Sequence, residues 1–93
     1  MKSSGNKLLF DPSAIKDALI IDRDILLRIK QAIEFKLVTK PELYGSPLHG
    51  VLRPFWRLRV GDYRVVYKFA EGEVRIFAIV HRKDVYKMLE RRL

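Results

Sequence analysis

Two turns, Gly61-Asp62 and Glu71-Gly72, leave this chain less conformational freedom than any other feature in it. They divide residues 55–81 into three runs of alternating side chains, the period of a half-buried β-strand. If each pair forms a two-residue hairpin loop, the register follows. Val60 then pairs with Tyr63, Leu58 with Val65 and Trp56 with Tyr67, while Ala70 pairs with Glu73, Tyr67 with Ile76 and Val65 with Ala78. Successive side chains point to opposite sides of a strand, so this register sorts the sheet into two faces. One holds Trp56, Leu58, Val60, Tyr63, Val65, Tyr67, Phe69, Val74, Ile76, Ala78 and Val80 and is apolar throughout. The other holds Phe55, Arg57, Arg59, Arg64, Val66, Lys68, Arg75, Phe77, Ile79 and His81.

The second face sets cations against each other. Arg59 falls opposite Arg64 and Lys68 opposite Arg75. Like charges across a ladder are destabilising unless water or an anion lies between them. Phe55, Phe77 and Ile79 add apolar surface beside the charges, a combination suited to single-stranded RNA. The competing reading is a solvated face whose arginines pair with Asp17, Asp62 or Asp84.

The chain upstream supplies a scaffold. Residues 1–5 read as a loose tail and Lys7 to Phe10 as a first short strand. Asp11-Pro12 is a helix start, an N-cap followed by a proline whose missing N–H costs nothing there. A short helix is predicted from Pro12 to about Ile20 and a second from Arg23 to Leu37, with Asp22 as its N-cap. Leu26, Ile29, Ile33 and Leu37 form the apolar stripe of the second, and the pair should fold back as a helical hairpin on the apolar face. Thr39 to Pro54, punctuated by three prolines and two glycines, reads as a non-helical connection. Lys83 to Leu93 is basic and helix-compatible, with Val85, Met88, Leu89 and Leu93 as a narrow stripe.

The totals narrow the function. Ninety-three residues make one domain, 1–93, of globular composition at 48% hydrophobic and 32% charged. With no cysteine, thiolate metal sites and disulfides are excluded, and two histidines are too few for a histidine-based zinc site unless carboxylates complete it. No metal or cofactor is expected. No apolar run reaches the ~18 residues of a membrane span and no signal segment opens the chain, so a cytoplasmic protein is expected. The net charge of +8 is uneven: residues 51–93 carry eleven basic and five acidic side chains, residues 1–50 eight and six. A basic half on a small domain points to a polyanionic partner.

Single residues say less. His81 ends the last strand on the arginine face, where neighbouring cations would depress its pKa and a bound phosphate would raise it, as suits a general acid or base. An isolated histidine is more often structural, and His49 in the loop is a weaker candidate still. Tyr86 could orient a substrate or simply pack the C-terminal segment.

The run GSPLHGVLRPFWRLRVGDYRVVY from Gly45 to Tyr67, followed by AIVHRKDVY from Ala78 to Tyr86, resembles the RelE/ParE superfamily of bacterial and archaeal toxins, and the resemblance extends from about Lys7. It implies an α+β fold of the RelE-like kind: an N-terminal strand and helical hairpin on one face of an antiparallel sheet, with a short basic C-terminal segment. It also implies the toxin of a type II toxin–antitoxin system, neutralised by a small cognate antitoxin. In the RelE branch such a toxin enters the ribosome, where contacts to 16S rRNA are implied. There it acts as an mRNA interferase, cleaving mRNA in the A site without metal by attack of a ribose 2′-OH on the adjacent phosphate. Carried onto this chain, the resemblance places Arg57, Arg64, His81, Arg82 and Tyr86 at functional positions, Arg64 as a phosphate clamp, and His81 as first choice of base. Arg59, Lys68, Arg75, Lys83 and Lys87 extend the basic surface for RNA. One departure stands out: Phe55 occupies a position where the RelE branch carries a lysine. That departure favours the alternative of a ParE-like toxin that inhibits DNA gyrase by binding it; a further alternative is a non-catalytic member that only binds its antitoxin.

Overall fold

Strands β1 (Lys7–Phe10), β2 (Ser46–Pro47), β3 (Trp56–Val60), β4 (Tyr63–Ala70) and β5 (Glu73–His81) form one sheet in the order β1-β5-β4-β3-β2. The computed structural model describes residues 5–93, so the tail expected over residues 1–5 lies, apart from Gly5, outside the described residues. Both predicted hairpins form. Gly61 takes φ +59° at the first loop, while Glu71 and Gly72 both take positive φ at the second. These are the left-handed conformations that let a two-residue loop match the strands' twist. The β3–β4 register is the predicted one throughout, Arg59 opposite Arg64 included. The sheet is not wholly antiparallel, because β1 joins the far edge parallel to β5.

The second hairpin departs from simple alternation. Lys68 pairs with Arg75 and Tyr67 with Ile76 as expected, but Val66 then pairs with Ala78. Phe77 is the extra residue of a β-bulge, and one extra residue exchanges the faces of everything after it. Val65 therefore meets Ile79 rather than Ala78, and Tyr63 meets His81. Ile79 packs into the core under the helices, while Ala78 and Val80 turn to the opposite layer. The expected placement of Ala78 and Val80 on the first face, and of Ile79 and His81 on the second, is thereby corrected.

Helices α1 (Pro12–Leu19) and α2 (Arg23–Ala32), the latter extended by a wide turn over Ile33–Leu37, cover the first face. Asp11 caps α1 by accepting from the Ser13 N–H at 3.3 Å and the Ser13 hydroxyl at 2.7 Å. That bond is the main reason its carboxyl lies below the ordinary range. Asp22 occupies the cap position of α2 without a side-chain bond to the helix. Ala14, Ile29, Ile33 and Leu37 bury against Leu58, Val65, Tyr67, Val74, Ile76 and Ile79.

The second face is not open, contrary to expectation. Helix α4 (Val85–Arg92) folds back across it and builds a second core from Leu48, Phe55, Val66, Ala78, Val85, Met88 and Leu89. Phe55 packs on Phe77 with ring centroids 4.9 Å apart, so these two rings serve the second core rather than forming the open flat surface anticipated for RNA. Each large side chain gains about 1.5–3 kcal/mol on burial. Several together stabilise a short helix that would not persist alone. The connection is also less irregular than expected: Pro41–Tyr44 forms one helical turn, α3, with proline at its permissive first position.

α1 and α4 meet at the bulge. Beyond Phe10 the edge of β5 loses its β1 partner, and α1 supplies the missing groups. The Ser13 hydroxyl, whose proton is shared with Asp11, lies 3.1 Å from the Phe77 carbonyl, and Asp17 Oδ2 accepts from the Ile79 N–H at 2.9 Å. The same carboxylate receives both Arg92 terminal nitrogens, at 2.7 and 3.0 Å.

Candidate functional site

The uncovered part of the second face becomes a cleft of about 470 Å³ at the β3–β4 turn end, beside the start of α4. Strand alternation sends Arg57 and Arg59 from β3 to this side, and the hairpin register brings Arg64 from β4 alongside. Arg82 arrives from the far end of β5, its N–H donating to the Asp62 carbonyl at 2.8 Å. The first turn of α4 adds Val85 and Tyr86. Tyr44 and Ser46 complete the lining.

The geometry separates the arginines' roles. Arg64 folds back over its own turn, its Nη1 donating to the carbonyls of Gly61 at 3.1 Å and Tyr63 at 2.8 Å. These bonds fix its planar fork while leaving other N–H donors available. Arg57 Nη1 donates to the Tyr86 hydroxyl at 3.3 Å, joining β3 to α4. Arg82 lies 3.9 Å from the Asp62 carboxylate, with both side chains largely exposed, so the pair does little to neutralise the site.

The cleft is therefore a concentration of positive charge. Its lining contains four arginines and no carboxylate. Burial first, then Arg59, Arg82 and Arg57, hold the Arg64 guanidinium below its ordinary range, against a smaller opposing pull from Asp62. A guanidinium stays charged even so, and the unfavourable field is relieved when an anion enters. The arrangement can bind phosphate through fixed forks and stabilise additional negative charge developing on it.

The sequence-derived candidates divide accordingly. Arg57, Arg59, Arg64, Arg82 and Tyr86 meet in the cleft. His81 does not: the bulge sends it to the helix-bearing side, where its ring lies 5.6 Å from that of Tyr63 and Nδ1 accepts from the Lys83 N–H at 3.2 Å. Lys68 and Arg75 line a separate groove with Pro54 and Glu73, Lys68 reaching over the Phe55 ring at 5.4 Å. Lys87 faces another surface, beside Asp84 and Arg91, and Lys83 is not among the residues lining the cleft. Sequence reasoning missed Tyr44 and Ser46. The signal for Ser46 is its pairing with Arg57 in β2, which no pattern in so proline-rich a stretch announces. Among the described residues no group of three or more His, Cys, Asp or Glu is placed to hold a metal ion.

A family model described as the ParE toxin of type II toxin–antitoxin system, parDE, matches residues 8–86. This chain belongs to that family. No curated protein matches the sequence significantly. Solved structures of the wider RelE/ParE superfamily share its fold. A chain of the RelBE2 toxin–antitoxin complex of Mycobacterium tuberculosis is 26% identical, with 89% of this chain and 98% of that chain covered at a TM-score of 0.80. One from the RelB–RelE antitoxin–toxin complex of Methanococcus jannaschii is 24% identical over 86% and 96%, with a TM-score of 0.67. A mutant of E. coli RelE with two arginines replaced by alanine, in the free state, is 19% identical over 96% and 99%, with a TM-score of 0.74. The α+β, RelE-like fold is thus that of a type II toxin.

Proposed function

We propose that this protein is a ribosome-dependent endoribonuclease, the toxin partner of a small antitoxin, and that the arginine cleft receives the scissile phosphate of mRNA. The observation that carries the proposal is the convergence of Arg57, Arg59, Arg64 and Arg82 with Tyr86 in one cleft lined by no acid. In this reading the ribose 2′-oxygen bonds to the adjacent phosphorus and the bond to the 5′-oxygen breaks. The products are a 2′,3′-cyclic phosphate and a 5′-hydroxyl, the proton lost by the 2′-OH being balanced by one gained at the leaving oxygen. Arg64, half-buried and held by two carbonyls of its own turn, clamps the phosphate and stabilises its growing charge, Arg57 and Arg82 flank it, and Tyr86, held by Arg57, orients the nucleotide. His81 is assigned no part as base, because the bulge has carried it to the opposite layer.

The antitoxin partner is inferred from the neighbours solved as toxin–antitoxin complexes. The basic surface would suit a chain with acidic character.

A second reading, a protein inhibitor of DNA gyrase, is favoured by two observations: the matching family model is that of ParE, and the cleft holds neither histidine nor lysine. Translation extracts programmed with a defined mRNA separate the two. The ribonuclease reading expects cleavage by the wild type and a loss of roughly 10²–10³-fold in Arg64→Ala, the scale on which removing a preorganised charge-stabilising donor acts. Intact mRNA together with inhibited supercoiling would establish the second reading instead.

A further inference from the structure

We infer that Tyr44 forms a nucleobase-stacking subsite in the lining of the arginine cleft, separate from Tyr86. The inference rests on the ribonuclease reading and extends it to a residue that the superfamily motif does not contain. Tyr44 lines the cleft with Arg57, Arg59 and Arg64, yet 43% of the residue stays exposed. An aromatic ring left accessible beside a cluster of cations is the arrangement that single-stranded nucleic-acid sites use, because every base presents a π-face. Lys36 Nζ, from the wide turn that extends α2, lies over one face of the ring at 5.7 Å from its centroid, so a base would stack on the other face.

The position of Tyr44 is also built rather than incidental. It ends the single turn α3, whose first residue, Pro41, accepts a 2.6 Å hydrogen bond from the fully buried Tyr67 hydroxyl. The next residue, Gly45, passes so close to that hydroxyl that a Cβ there would collide with it. The following residue, Ser46, is paired with Arg57 in the sheet. Tyr44 is thus fixed on both sides to the elements that carry the cations. Tyr86, contributed by α4, lines the same cleft with 56% of its surface exposed, so two rings from different elements share it with the charges. The substrate class this implies is a single strand of at least two nucleotides. One phosphate lies among the arginines, and bases to either side stack on separate tyrosines.

The test is a binding cycle with short oligoribonucleotides carrying a 2′-deoxy sugar at the scissile position, which blocks cleavage, and an abasic site moved along the strand. Wild-type protein is expected to lose about ten- to hundredfold in affinity at the abasic position facing Tyr44, the scale of one stacked base. Tyr44→Ala should lose as much on the intact strand and become indifferent to that abasic site, while Tyr44→Phe keeps the wild-type pattern. Thermal unfolding of each variant guards against a folding defect, which would weaken binding at every abasic position alike. Wild-type binding with no position coupled to residue 44 overturns the subsite and leaves the ribonuclease reading standing. No binding of any oligoribonucleotide by the wild type overturns the subsite, and if mRNA also stays intact in translation extracts it overturns the ribonuclease reading as well.

Discussion

Tyr67 ties the first core to the turn that carries Tyr44 within a single side chain. Its ring is fully buried in the first core and its hydroxyl reaches the Pro41 carbonyl at 2.6 Å; burial keeps the phenol well above its usual pKa, so it remains a neutral donor. Gly45 exists to let that hydroxyl through. Its φ is an ordinary −103°, so the constraint is close approach and not backbone conformation. Gly45→Ala should therefore cost at least about 2 kcal/mol in denaturant unfolding, the scale of overpacking a filled site. It should also weaken RNA binding, since Ser46 and Tyr44 flank the position. A variant as stable as wild type would contradict the account. This constraint was not legible beforehand. A glycine in a proline-rich loop reads as a turn residue, and only the register of a strand two elements away places a phenol against it. The arginines were legible because alternation alone fixes their side of the strand, and the β3–β4 register proved regular.

Helix α4 depends on one ion pair more than on its own propensity. Asp17 and Arg92 have side chains only 11% and 26% exposed, and the Arg92 pKa is raised chiefly by its hydrogen bond to Asp17. The carboxylate also accepts from the Ile79 N–H, so it ties α1, β5 and α4 together. Asp17→Ala strands a partly buried guanidinium and an amide at once. We expect a loss of about 2–4 kcal/mol, below the usual cost of breaking a fully buried pair because Arg92 retains some contact with water. Urea unfolding measures it, and a loss under about 0.5 kcal/mol would show that the second core alone holds the helix. The sequence indicated that this segment could be helical but not where it would lie. The stripe of Val85, Met88 and Leu89 needs an apolar partner, and that partner appears only when the bulge turns Ala78 and Val80 to its side.

Across the whole molecule the net charge of +8 suggested a basic surface, yet the cations are unequal in use. Arg57, Arg59, Arg64 and Arg82 share one cleft, whereas Lys68, Arg75 and Lys87 line other surfaces. On a single strand each neutralised phosphate contributes about 0.7 to the slope of log affinity against log salt. Were each cleft arginine to neutralise one phosphate, the slope would be near −3. Arg59→Ala should flatten it by about 0.7, and Lys87→Ala should leave it unchanged. Fluorescence anisotropy at several salt concentrations decides this, and equal effects of the two substitutions would mean that charge acts diffusely. The bulge at Phe77 has a bearing beyond this chain. It works as a parity bit: two relatives spelling the same letters at the end of the last strand, but differing by one residue before it, would display those letters to opposite layers. Matching motifs past that point carries no information about which layer a side chain serves until the intervening residues have been counted.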